Sequence, residues 1–166
     1  MIIESKNLSF DVPWRFALVP RGGEALKKQV AANAQLLEID GTEVRCLRSF
    51  HEEVAGDFFF ASHYNCDPNA SLTHLNAPVK GEQTVIMWHD AELMAEYEAD
   101  DWQAVLCMFR AAMVTLHPQG TYLRLLFPTD QPSFLNAALH QALADEADRA
   151  GVGYDEAHEN LELLLH

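Results

Sequence analysis

The most continuous helical pattern in the chain runs from Asp100 to Leu116, and it constrains the fold more than any other feature. Asp100, followed by Gln103 three residues later, is typical of a capping box at a helix start. Seven apolar residues recur beyond it at the spacing of one helix face: Trp102, Val105, Leu106, Phe109, Ala112, Met113 and Leu116. A continuous stripe of this kind needs a packing partner, so we expect a folded core.

The flanking segments predict a mixed fold. Short apolar runs bounded by turn residues predict strands over residues 1–5, 14–19, 58–60, 83–88 and 121–127. Helical spacing and capping residues predict further helices over residues 23–38, 42–56, 90–98, 132–150 and 155–166, although 42–56 also fits a strand. We therefore expect one α+β domain over residues 1–166, with a small, mostly antiparallel sheet of about four to five strands covered by about five to six helices.

Negative charge is concentrated in the second half of the chain. The net charge is −14, and residues 84–166 account for −11 of it, with three arginines against fourteen acidic residues. Such a field disfavours direct binding to nucleic acid or to anionic lipid, and it favours a basic protein partner. No apolar run is long enough to cross a bilayer. Three widely spaced cysteines and the lack of a secretory signal indicate the cytoplasm.

Two acidic clusters, within residues 90–101 and 145–162, are the candidate binding residues. Glu92 and Glu96 are four residues apart on one helix face, where like charges are destabilising, so the charge is expected to serve a partner. The candidate partner-binding residues are Glu92, Glu96, Glu98, Asp100, Asp101, Asp145, Glu146, Asp148, Glu156 and Glu159. Exposed aromatic residues such as Tyr97, Tyr154 or Trp102 could anchor the partner.

Residues 61–82 form a long stretch rich in turn-forming residues, and loops of this length often carry function. Together with the following strand, this stretch supplies imidazole, thiolate and carboxylate groups, which are ligands for a divalent transition metal such as zinc. The candidate ligands are His63, Cys66, His74, His89 and Asp90. This set supports an alternative interpretation, a small metal-dependent hydrolase, although its spacing matches no zinc signature.

The first hypothesis is a non-enzymatic acidic protein that docks a basic protein through an acidic helical face. An inhibitor, an immunity protein or a small chaperone would fit this size and charge. It requires no cofactor and no catalytic residue, and the chain lacks the common phosphate-binding, hydrolase and thiol-redox motifs. A homodimer is compatible with Trp14 and the Phe58–Phe60 run, which fit a dimer seam as well as the core. The sequence itself identifies neither the partner nor the substrate.

Overall fold

The computed structural model describes residues 8–10, 14–57, 83–116, 120 and 122–150. Four strands and five helices lie in this part of the chain. In chain order they are β1 (Phe16–Val19), α1 (Gly23–Ala31), β2 (Gln35–Asp40), α2 (Leu47–Asp57), β3 (Gln83–His89), α3 (Glu92–Tyr97), α4 (Ala99–Leu116), β4 (Tyr122–Pro128) and α5 (Pro132–Ala150). The segments predicted as strands over 1–5 and 58–60, as a loop over 61–82 and as a helix over 155–166 lie outside the described residues.

The four strands form one parallel sheet in the order β1-β4-β3-β2. The expectation of a mostly antiparallel sheet in an α+β domain was therefore wrong, and the fold is α/β. Helices separate successive strands and return the chain to the same sheet edge, as parallel pairing requires. The strands β3 and β4 are also buried along nearly their whole length, which is typical of a parallel sheet covered on both faces.

The predicted helix over residues 23–38 was wrong in its second half. The helix α1 ends at Ala31, and β2 begins four residues later at Gln35. In the sequence, Leu37 falls at helical spacing from Leu26 and Val30, which favours a helix that continues to residue 38. It instead belongs to β2, where it lies level with Ile86 of β3. Pairing with β3 therefore overrides the local helical spacing of this segment.

Aromatic rings fill the core between the sheet and the helices α2 and α4. Trp88 of β3 is fully buried, and its ring centroid lies 5.5 Å from that of Trp102 and 6.2 Å from that of Phe127. Phe50 of α2 and Phe109 of α4 pack beside it with centroids 6.1 Å and 6.4 Å away. None of the described helices has the length and apolar character needed to cross a membrane.

The strand order fixes where a binding site can form. The crossover from β1 to β2 runs across the whole sheet, whereas those from β2 to β3 and from β3 to β4 step back one strand each. Since such crossovers are right-handed, α1 lies on one sheet face and the later helices lie on the other. The helices that follow the neighbouring strands β1 and β4 therefore lie on opposite faces of the sheet. The carboxyl ends of these strands form the topological switch point, where α/β proteins commonly bind ligands.

Candidate protein-docking surface at the carboxyl edge of the sheet

Charged residues follow three of the parallel strands at their carboxyl ends. Arg21 lies two residues beyond β1, Asp90 comes directly after β3, and Asp130 lies two residues beyond β4. Because the strands are parallel, these residues meet at one edge of the sheet. We call this the carboxyl edge, and it spans the topological switch point.

Arg21 binds two carboxylates across the carboxyl edge. Its Nη2 lies 2.7 Å from Asp90 Oδ1, and its Nε lies 2.8 Å from Asp130 Oδ2. The hydrogen bond to Asp90 is the main cause that raises the pKa of Arg21 above its ordinary value, so its guanidinium stays charged. The three side chains are 31% to 73% exposed, so each pair is worth about 1 kcal/mol or less. Together they connect the segments that follow β1, β3 and β4.

Glu92, the first residue of α3, is buried beneath this network. Glu92 is only 4% exposed, and its Oε1 accepts a hydrogen bond from the Thr129 hydroxyl. Thr129 is itself fixed, because its backbone N–H donates to Val19 O at 2.9 Å. Glu92 Oε1 also lies 3.9 Å from Arg21 Nη2. A side chain this buried cannot contact a partner, so Glu92 is excluded from the surface proposed below.

The turn between β3 and α3 is held in one conformation. Asp90 has a φ of 49°, in the left-handed region, which aspartate tolerates better than most residues. Gly41 packs directly against this turn and donates from its N–H to His89 O at 2.8 Å. A Cβ at Gly41 would lie 2.3 Å from that carbonyl oxygen, so only glycine fits there. The start of α3 is therefore placed by backbone contacts as well as by Arg21.

An exposed acidic and aromatic segment lies where α3 meets α4. Glu96, Tyr97, Glu98 and Asp100 are all exposed, and Tyr97 reaches 70%. Met94 and Ala95 before them and Trp102 after them are buried, which leaves the intervening side chains on the outside. No described lysine, arginine or histidine forms an ion pair with Glu96, Glu98 or Asp100. We call residues 96–100 the α3–α4 corner.

Asp101 has a structural contact of its own. Its Oδ2 accepts a hydrogen bond from the backbone N–H of Leu47, the first residue of α2, at 2.8 Å. The N-terminal N–H groups of a helix lack partners within the helix, so this carboxylate satisfies one of them. Asp101 is half-buried and joins the starts of α2 and α4. Asp101 therefore fixes the start of α4, next to the α3–α4 corner, to the start of α2.

The second acidic cluster lies away from the first. Trp102 Nε1 donates to Ala138 O, and Arg110 Nη1 donates to Glu146, so α4 and α5 run side by side in the same direction. Arg110 follows Asp100 by ten residues, about 15 Å along the helix. The cluster around Glu146 is therefore distant from the α3–α4 corner, and the two do not form one continuous patch.

Two carboxylates of the second cluster already interact with side chains of this protein. Glu146 lies 2.7 Å from Arg110, and Asp145 accepts a hydrogen bond from Gln141 at 2.7 Å. Asp148 is exposed. Glu156 and Glu159 lie outside the described residues. Of the described candidate carboxylates, Glu96, Glu98 and Asp100 are thus the ones that lie close together and exposed.

The two described candidate metal ligands, His89 and Asp90, pair with charged residues of the chain. His89 Nε2 lies 2.9 Å from Glu38, which also pairs with Lys27 at 2.7 Å, and Asp90 pairs with Arg21. Burial pulls the pKa of Glu38 upward, but the hydrogen bonds from Lys27 and His89 outweigh it and lower the pKa. His63, Cys66 and His74 lie outside the described residues. Within the described part of the chain, no three potential ligands come together at a metal site.

Sequence reasoning missed Arg21 and Thr129. Gly22 and Gly23 are typical of a helix start, and the sequence alone shows no partner for the neighbouring Arg21. The available signal was a charged or hydroxyl residue shortly after each apolar strand. That signal has meaning only in a parallel sheet, where the strand ends converge.

Comparison with known proteins identifies a family. No curated protein and no solved structure matches the chain. A family model described as Barstar (barnase inhibitor) matches residues 34–128, more than half of the 166 residues. The match runs from the start of β2 to the end of β4, and it includes the α3–α4 corner. This chain therefore belongs to the barstar family.

Proposed function

We propose that this protein inhibits a basic ribonuclease of the barnase kind by binding to it. Membership in the barstar family is the observation that carries the proposal, because it supports a non-enzymatic inhibitor or immunity type of protein. A net charge of −14 supports a basic partner, since opposite charges steer association. In this role the chain needs no catalytic residue of its own.

The α3–α4 corner is the docking surface that we propose. Its three carboxylates, Glu96, Glu98 and Asp100, form no ion pair with a described residue, and they would attract a cationic surface over a distance of about 10 Å at moderate salt. Tyr97 stands between Glu96 and Glu98 in the sequence and is 70% exposed, and tyrosine is one of the residues that most often dominate binding energy. Bound across a ribonuclease's cationic cleft, the carboxylates would take positions that RNA phosphates otherwise occupy, and inhibition would then compete with RNA.

The direct test is titration of barnase with the purified protein while RNA cleavage is measured. We expect inhibition that approaches one inhibitor per enzyme and weakens above about 0.3 M salt, because ions screen exposed charges. No inhibition and no binding at low salt would contradict the proposed function.

A charge-matched pair of variants tests the surface. E96Q/E98Q/D100N removes three negative charges from the α3–α4 corner, and E24Q/E43Q/E53Q removes three exposed ones from other parts of the chain. We expect the first variant to slow association more than the second, since nearby charges steer binding most strongly. Equal effects would show that only the total charge matters, and the docking surface would then be elsewhere.

A further inference from the structure

Arg124, the third residue of β4, is a buried cation whose guanidinium is only partly bonded. The residue is 3% exposed, and its Nη2 donates to Phe10 O at 3.1 Å. Its Nε and Nη1 are also buried, and neither has a hydrogen-bond partner within the described chain. Burial lowers the pKa of Arg124 to about 10, so the side chain is still charged at neutral pH. A buried charge is costly unless it is paired and hydrogen-bonded.

The surroundings of this cation are aromatic. The central carbon of the guanidinium lies 4.8 Å from the ring centroid of Trp14 and 5.6 Å from that of Phe10. No carboxylate in the described part of the chain pairs with Arg124. Ring contacts stabilise a cation, but they supply neither the acceptors nor the negative charge that its remaining N–H groups require. Arg124 is therefore suited to a small anion that supplies both.

An unbonded acceptor lies on the same face of the sheet. Gln83, the first residue of β3, is level with Tyr122, which precedes Arg124 by two residues on β4. Residues that are two apart on a strand face the same side of a sheet, and so do residues that are level in neighbouring strands. Gln83 Oε1 is buried and has no hydrogen-bond partner within the described residues. Unbonded donors and an unbonded acceptor therefore occupy neighbouring positions on one sheet face.

Other arginines make the charge at this end of the sheet positive. Arg15 precedes β1, and its backbone O accepts a hydrogen bond from Leu125 N, next to Arg124. Burial lowers the pKa of Arg15, and the positive charge of Arg110 lowers it further, so these two cations are close to each other. Glu146 pairs with Arg110. The local excess of positive charge would retain a small anion even though the whole chain carries −14.

We propose that Arg124 and Gln83 bind a small oxyanion of the inorganic phosphate type. The anion would accept hydrogen bonds at one edge of the guanidinium, whose planar fork matches the oxygens of phosphate. The O–H group of hydrogen phosphate would donate to Gln83 Oε1. Burial of Arg124 beside Phe10 and Trp14 leaves no room for a nucleotide or an RNA chain. This site does not depend on the proposed inhibitor function.

The site joins two parts of the chain. Phe10, Trp14 and Arg15 precede residue 34, where the family match begins, whereas Gln83 and Arg124 lie inside the matched region. A bound oxyanion would therefore stabilise the packing of the N-terminal residues on β4. The backbone amide of Leu125, which donates to Arg15 O at 2.7 Å, should then exchange its hydrogen more slowly when phosphate is present.

Thermal unfolding in inorganic phosphate tests the site. At about ten times its dissociation constant, phosphate should raise the unfolding midpoint of the wild type by about 3–5 °C relative to sodium chloride of equal ionic strength. R48M removes an exposed arginine from α2 and should keep this rise, whereas R124M should lose it. An equal rise in all three proteins would be the general stabilisation that phosphate gives to proteins, and it would overturn the site.

A second measurement uses the wild type alone and does not depend on the folding of R124M. The NMR signal of the Arg124 Nε–H group, identified by its loss in R124K, should shift with phosphate and saturate at one anion per chain. Acetate, which has no O–H group at neutral pH, should bind more weakly than phosphate in the wild type, and Q83L should reduce this difference. Adenosine 5′-monophosphate should leave the signal unchanged. A signal that phosphate does not shift, or that the nucleotide shifts equally, would contradict an enclosed site for a small oxyanion.

Discussion

The guanidinium of Arg124 lies against the ring of Trp14, with its central carbon 4.8 Å from the ring centroid. Phe10 lies on the same cation at 5.6 Å and accepts a hydrogen bond from Arg124 Nη2 through its backbone oxygen. Arg124 is 3% exposed, and burial lowers its pKa to about 10. No described carboxylate pairs with it. Two aromatic rings and one backbone carbonyl therefore contact this buried cation, in place of the acidic side chain that usually pairs with a buried arginine.

A double-mutant cycle should reveal this contact. We expect W14L to destabilise the protein by about 2–4 kcal/mol, because a buried ring is lost along with its Nε1 hydrogen bond to Ser9 O. In an R124M background the same change should be milder by about 0.5–2 kcal/mol, the range of a desolvated cation–π contact. Urea unfolding of the four proteins gives the coupling. Strictly additive effects would mean that the ring and the cation do not interact.

Loss of the Asp101 side chain should weaken the start of α2. D101A removes the acceptor for Leu47 N–H, and we expect a loss of about 1 kcal/mol in the free energy of unfolding. The neighbouring D100A is the control, since Asp100 is exposed and contributes no such cap. Both variants lose one negative charge, so thermal or urea unfolding separates capping from charge. Equal stability of the two variants would argue against the cap.

Substitution of Gly41 should be among the most damaging small changes in the molecule. In G41A the new Cβ would lie 2.3 Å from His89 O and 2.4 Å from Asp90 O, and neither backbone atom can move freely. We expect a destabilisation of about 2–4 kcal/mol, as for other forced backbone shifts. K28A on the exposed side of α1 should change stability by about 0.5 kcal/mol or less. A G41A protein as stable as K28A would contradict the close packing described here.

His51 should make stability depend on pH. The residue is 5% exposed, and burial lowers the pKa of its imidazole below the ordinary value of 6.5. The unfolded chain therefore binds a proton first as the pH falls below about 6.5, and stability declines until the folded-state pKa is passed. H51Q cannot bind this proton, so its stability should fall less between pH 7 and pH 5. Parallel stability curves for the two proteins over this range would rule out this contribution.

Tyr97 should matter for binding and hardly at all for folding. Its ring is 70% exposed, so we expect Y97A to leave the unfolding free energy within about 0.5 kcal/mol of the wild type. The same change should weaken barnase binding at least about tenfold if Tyr97 anchors the partner. Phe134, exposed on α5 outside the α3–α4 corner, provides the matched control as F134A. Isothermal titration of both variants with barnase measures the two affinities. Equal affinities would show that Tyr97 is not part of the interface.

Local patterns predicted individual elements well where one apolar face dominates. The stripe from Trp102 to Leu116 corresponds to α4, and the apolar run predicted at 121–127 corresponds to β4 with its bounds moved by one residue. Strand direction was not predictable in this way, because it depends on which strands pair across the crossovers. The strand β2 shows the same limit, since its pairing with β3 decides a segment whose spacing also fits a helix.

Charge counts predicted the candidate surface only in part. They identified Glu96, Glu98 and Asp100, which are exposed and close in sequence, but they gave equal weight to Glu92, which is buried. The difference depends on Thr129, which lies 37 residues away in the chain and accommodates the Glu92 carboxylate. A residue's charge is written in the sequence, whereas its exposure depends on distant segments that pack over it.

The position of β1 has a consequence for the family-matched region. Residues 34–128 include β2, β3 and β4 but not β1, so within that region alone β4 would be an open strand at the border of the sheet. β1 occupies that border: Leu125 N donates to Arg15 O at 2.7 Å, and Thr129 N to Val19 O at 2.9 Å. Uncovered strands of this kind recruit other chains into aggregates. β1 is then itself the border strand, but it has four residues where β4 has seven, and short border strands offer less backbone for another chain to pair with. A fragment trimmed to the family boundaries would expose the longer β4 in its place.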